Sequence, residues 1–303
     1  MRKLHLLILL ASFPLGNVLG QQQAMFTQYM FNGLAVNPAY AGSQDEISFT
    51  TLARRQWTAM EGAPTTETFS VHGPVRNRKI AIGLQLFHDA IGITNQYGVY
   101  GAYAYRVKMP QGTLSAGAQV GFNSYRARYS AVSLKTSDDP RFSADEAGGI
   151  LPNFGVGLYY QTQRFYAGGS SPLLITNSLP GGRESQAKQY RHWFFTTGVV
   201  VELSHHWKLK PSTLVKVVEG APLEVDINAN VLIRELIWLG ISYRSFDALS
   251  FLVEWQITRP LRVGYAYDYT LTSLRSEHSG THEIMLNYRL WFDQSETVSP
   301  RYF

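Results

Sequence analysis

The sequence predicts an all-β protein, a single transmembrane antiparallel β-barrel of about 14 strands preceded by a cleaved signal peptide. Three observations carry this. Apolar and polar residues alternate with period two from Asp45 to Phe292. No window after residue 20 holds the run of about eighteen apolar residues that a membrane helix needs. The chain opens with an export signal.

That signal comprises Met1-Arg2-Lys3 as a basic start, Leu4 to Leu15 as an apolar stretch, and Val18-Leu19-Gly20 as small residues before a cut near Gln21. The expected division is residues 1–20 signal peptide, 21–44 a periplasmic or lumenal segment, 45–292 the barrel and 293–303 a tail. Cysteine is absent, which excludes disulfides, thiolate metal sites and a lipidated cysteine at the cut.

Composition agrees with a barrel. Charged residues make up only 16% and aromatics 13%, yet the mean hydropathy is -0.13. A wall with one face in lipid and one in a polar lumen gives low charge without long apolar runs. Losing Arg2 and Lys3 lowers the formal charge from +5 to +3, and the remaining basic residues are scattered. With neither a Lys/Arg block nor a basic helix, nucleic acid is not an expected partner.

The alternation is plainest from Leu223 to Arg234. Leu223, Val225, Ile227, Ala229, Val231 and Ile233 share one face; Glu224, Asp226, Asn228, Asn230 and Arg234 share the other, interrupted by Leu232. Similar patterns centre fourteen strands near Phe49, Phe69, Leu84, Tyr103, Ala118, Val156, Tyr166, Val199, Leu214, Ile227, Ile241, Val253, Tyr265 and Leu286. An even number returns the chain to the side where it entered. In this frame Glu224, Asp226, Asn228, Asn230 and Arg262 line the lumen, where they brace it, hydrate it or line a pore.

Aromatics gather towards strand ends, as in Tyr159-Tyr160, Trp193-Phe194-Phe195, Tyr265 to Tyr269 and Trp291-Phe292. There they would form headgroup-level girdles. Short links, including 73–78, 109–112, 162–163, 204–206 and 258–260, read as periplasmic turns. Longer ones at 89–95, 125–152, 169–190 and 271–280 read as exterior, and the two longest are the candidate partner-binding loops.

Catalytic chemistry finds little support. The G-x-S-x-G, G-x-x-x-x-G-K and G-x-G-x-x-G patterns are all missing. His282-Glu283 has no second histidine one helical turn on, His205-His206 sits in a turn, and His88-Asp89 has no identifiable serine beside it. The expectation is a protein that is not an enzyme and has no cofactor.

One stretch is more specific. Gln28-Tyr29-Met30-Phe31-Asn32, Asn37-Pro38-Ala39-Tyr40-Ala41-Gly42-Ser43, Arg54-Arg55-Gln56-Trp57 and Gly62-Ala63-Pro64-Thr65-Thr66 resemble the start of the PorP/SprF family of Bacteroidota outer-membrane proteins. Asp139-Pro140-Arg141-Phe142, Pro152 to Gly157 and Phe165 to Ser170 extend the likeness, which weakens after Tyr190. The resemblance implies a role in the type IX secretion system, with gliding motility in some members. It implies as partners outer-membrane lipid, a secreted surface protein or adhesin carrying a type IX C-terminal domain, and other secretion components. Porin and lipid-acting barrel enzyme stand as alternatives.

Read physically, Asn37-Pro38 signals a turn, Gly42 a backbone bend and Pro64 a loop or strand start, shaping the barrel entrance and first hairpin. Arg55 and Trp57 are expected to share one face of the first strand, where the guanidinium braces an N-terminal segment folded inside or touches cargo.

Overall fold

A strand whose alternate side chains are apolar needs a water-free face, and where that face is lipid no unpaired backbone edge is tolerable. In the computed structural model both demands are met by closure. The structure describes residues 25–75, 78–128, 130, 146–179 and 188–290. The expected signal peptide, Asp139, Pro140, Phe142, Trp291, Phe292 and the expected tail lie outside the described residues.

The strands are β1 (Ile47–Arg55), β2 (Thr65–Pro74), β3 (Ile80–Ile91), β4 (Thr94–Met109), β5 (Gly112–Ala127), β6 (Glu146–Gln161), β7 (Phe165–Ser171), β8 (Asn177–Ser178), β9 (Lys188–Gln189), β10 (His192–Val199), β11 (Val201–Ser204), β12 (Trp207–Val218), β13 (Glu224–Ile233), β14 (Ile237–Arg244), β15 (Ala248–Gln256), β16 (Leu261–Thr270) and β17 (Thr281–Leu290). β8 and β9 form a separate two-residue ribbon. β10 and β11 both pair with β12 and are two halves of one stave broken at Val200. All other neighbours pair antiparallel in chain order, and β1 pairs with β17 from Ile47↔Leu290 to Arg55↔His282. The result is a closed barrel of fourteen staves, each containing one of the fourteen expected centres.

Side chains follow the alternation, but inside out relative to a soluble protein. Ile82, Val120, Leu158, Ile227 and Ile284 are exposed on the outer wall, whereas Ser115, Asn228, Asn230 and Glu283 are buried inside. Among the described residues no helix is long and apolar enough to cross a membrane.

Three expectations about links are corrected. Asp89 to Asn95 is not a long loop: β3 and β4 stay paired to Ile91↔Thr94, and Gly92, at φ +55°, turns the chain in two residues. Asp89 faces the lumen there, whereas Asn95 pairs with His88 on the outer wall at 3.2 Å; polar residues beside a tight turn mimicked a loop. The 125–152 link is likewise shorter, because β5 runs to Ala127 and β6 starts at Glu146. The 169–190 link becomes 172–191 and contains the β8–β9 ribbon. Long links still gather at the end opposite Ile47 and Leu290. The aromatic runs also divide by parity: Trp193 and Phe195 point out, while Phe194 and Tyr159 are buried inside.

Candidate functional site

The lumen is not empty. Residues 25–46 fold back through it as three one-turn 3-10 helices, Tyr29–Phe31, Gly33–Ala35 and Pro38–Tyr40. Gln28, Leu34, Ala39 and Ala41 are at most 1% exposed. Thr27 contacts strand residues near the long-link end and Ser43 those near the short-link end, so the segment descends the barrel before β1 climbs back.

At the upper end, Arg54 on β1 lies 2.7 Å from Asp268 and 3.2 Å from Glu283, its register partner across the β1–β17 seam. The backbone amides of Thr27 and Gln28 donate to the two Glu283 carboxylate oxygens at 2.9 and 2.8 Å, and the Thr27 hydroxyl donates to Asp268 at 2.7 Å. One cation thus offsets two buried carboxylates while the segment's own donors supply further hydrogen bonds.

Lower down, Asn228 donates to the Tyr29 hydroxyl at 2.6 Å, and Asn230 to the Met30 sulfur at 3.1 Å. Lys210, fully buried, places Nζ 4.8 Å from the Phe31 ring and 4.7 Å from Trp238. Asp226 holds Arg244 at 3.2 Å, Glu224 holds Lys216 at 3.0 Å, and Arg262 reaches Glu254 at 3.2 Å. Of the five lumen-facing residues expected from sequence, Asn228 and Asn230 hold the segment, while Glu224, Asp226 and Arg262 are in ion pairs between neighbouring strands of the wall.

The opposite wall holds the segment by shape. Asn37 caps the last helix by accepting from the Ala39 N–H at 2.9 Å, with Pro38 at the first helical position, and its amide donates to the Leu158 carbonyl at 3.0 Å. A Cβ added to Gly117 would overlap the Ala39 backbone, and one on Gly157 would overlap the Asn37 side chain. Tyr40 meets His72 and Tyr159 edge-on, both at 5.4 Å between centroids. Gly42, at φ +69°, donates its N–H to His72 Nδ1 at 3.2 Å.

The motif residues thus separate. Asn37, Pro38, Tyr40 and Gly42 lie in the lumen rather than at a first hairpin. Arg55, Gln56, Trp57 and Pro64 lie at the upper rim. The expectation that Arg55 and Trp57 share a lumenal face is wrong. Arg55 ends β1 facing out and exposed; Trp57 lies beyond the strand at φ +51°, its N–H donating to the Thr281 hydroxyl at 3.1 Å. Strand parity puts Ser48, Thr50, Leu52 and Arg54 inside, so Arg54 is the bracing guanidinium. Gln56 and Pro64 close the rim loop with a 2.9 Å backbone bond. Arg54, Lys210, Asp268 and Glu283 are further bracing residues that the alternation alone does not single out. The findable signal was an inward charge on the first strand facing an inward charge on the last.

Above the segment lies a vestibule of about 80 Å³, floored by Phe26 and Ala35 and walled by Thr68, Phe87, Asp89 and Tyr100.

A closed barrel with an apolar outer band and a polar lumen filled by its own N-terminal segment defines an outer-membrane β-barrel with a built-in plug. The chain belongs to the PorP/SprF family of type IX secretion system membrane proteins, whose sequence model matches residues 18–288. No curated protein matches it. In fold it is similar to the toluene transporter TbuX of Ralstonia pickettii, at 11% identity, 86% of this chain, 93% of that chain and a TM-score of 0.51. It is also similar to the CymD monoaromatic hydrocarbon channel, at 12% identity, 92% of this chain, 96% of that chain and a TM-score of 0.52. At such identities the likeness establishes the barrel fold alone.

Proposed function

We propose that this barrel is a non-enzymatic component of the type IX secretion system that assists or anchors a secreted surface protein, holding that partner's C-terminal domain at its outer mouth. In a gliding host the partner would be a motility adhesin. The filled lumen carries this reading. A solute channel needs a water-filled path, whereas here the centre is occupied by a segment bonded to both walls. What remains for function is the outer rim, where the described links 56–64 and 271–280 join staves at the long-link end.

The test is affinity purification of the tagged full-length protein from detergent-solubilised outer membranes of its native host, followed by mass spectrometry. The expected result is co-purification of a large surface protein with a secretion-type C-terminal domain, lost when residues 128–145 are deleted. A barrel that purifies without such a partner and conducts ions steadily in planar bilayers would overturn the proposal in favour of a channel.

A further inference from the structure

Lumenal carboxylates in this barrel keep close company with cations. Glu224, Asp226, Glu254, Asp268 and Glu283 each lie within 3.2 Å of an Arg or Lys. Asp89 is different. It faces inward near the top of β3, and among the described residues it has no ion-pair partner; its hydrogen bond is the 2.5 Å one accepted from the Thr66 hydroxyl. His88, next in the chain, points to the outer wall, stacks on Tyr97 and lies 3.6 Å from Glu67. His192 also borders the vestibule, with Nδ1 2.9 Å from the Tyr190 carbonyl oxygen.

The surroundings of Asp89 have the form of a site. Phe87 and Tyr100 lie parallel, at 5° and 6.3 Å between centroids, offering apolar faces beside the carboxylate. Thr68, a residue 4% exposed, lines the same cavity, and its buried hydroxyl has no hydrogen-bond partner. A cavity of about 80 Å³ admits several heavy atoms, since room for one water takes only about 10–15 Å³.

An uncompensated carboxylate in a partly desolvated cavity favours a cation, flat aromatic faces favour a guanidinium or a methylene stem, and a free hydroxyl favours a polar head. We propose that the vestibule binds an organic cation on a flexible stem, a guanidinium or alkylammonium group, with Asp89 as its counter-ion. The group enters from the extracellular side, as an Arg or Lys side chain of a bound protein or as a free amine. The first source rests on the partner reading given above; the site itself does not.

Calorimetry on the full-length protein in detergent tests it, with arginine amide blocked by acetylation of its α-amine as probe, the equally acetylated and therefore neutral citrulline amide as control, and spermidine as the free amine. Arginine amide should bind, citrulline amide should not, and Asp89→Asn should weaken the cation at least tenfold. An unchanged heat-modified gel shift would show that the variant barrel is folded. Phe87→Leu, which keeps the charge, should weaken arginine amide severalfold. Equal binding of the two amides, no binding of any cation, or full binding to D89N would overturn the proposal. If the co-purifying surface protein is lost in D89N and eluted by arginine amide, a protein side chain is the source. If spermidine binding depends on Asp89 while no surface protein co-purifies, the site stands with a free amine as its ligand, and the partner reading alone falls.

Discussion

The two walls of the lumen grip the same 22-residue segment in opposite ways. Around the seam and along β12 to β17 the grip is electrostatic: Arg54, Asp268 and Glu283 are buried and every donor of Thr27 that faces them is used. Along β5 and β6 it is steric: Gly117 and Gly157 remove side chains so that Asn37 and Ala39 can approach the backbone. The difference teaches where specificity resides. Charges fix depth and register in the barrel, because each bond has one partner, while the glycine seats only admit the segment.

The sharpest way to break the electrostatic side is Arg54→Leu, which strands two carboxylates that are almost fully buried. Removing one partner of a buried pair costs about 3–5 kcal/mol. A fall of that size in unfolding free energy, read by tryptophan fluorescence in detergent with increasing guanidinium, is expected. Wild-type stability would show that the seam charges do not hold the segment.

The steric side breaks through Gly117→Val, whose Cβ overlaps Ala39. Overpacking of this kind costs about 1–3 kcal/mol. The variant should also show intermittent ion conductance in planar bilayers as the segment is displaced, and a silent, equally stable variant would refute the seat. The comparison is sharpened by Arg55→Leu, one residue from the largest effect. Arg55 faces outwards, so its loss should shift stability by no more than about 0.5 kcal/mol. A large loss would mean the parity of β1 is misassigned.

Most of the barrel was legible because period two is a local property. Leu223 to Ile233 declares its two faces without reference to any other strand, and so do Ile80 to Leu86 and Ile284 to Leu290. What pairs across the lumen is not local. Thr27 and Glu283 are 256 positions apart, and no periodicity links them. Arg54 and Arg55 are chemically alike, and only parity, fixed by the pairing of β1 with both neighbours, tells the brace from the rim residue. Asp89 read as loop because polar lumenal residues near a turn resemble solvated ones. The strand centres survived such errors; the ends, where parity and turn chemistry compete, did not.

The seam also places the chain's earliest and latest described segments in one cluster. Among the described residues Thr27 and Arg54 are translated early and Asp268 and Glu283 late; Arg54 and the two carboxylates offset one another's charge, and Thr27 donates to both carboxylates. A chain halted before β17 would lack the stave that closes the wall, the carboxylate that receives the Thr27 and Gln28 amides, and part of the counter-charge for Arg54. Closure and plugging therefore draw on the same buried groups, so the fold ties the two ends of the chain to one another: the last stave both shuts the wall and fastens the segment inside it.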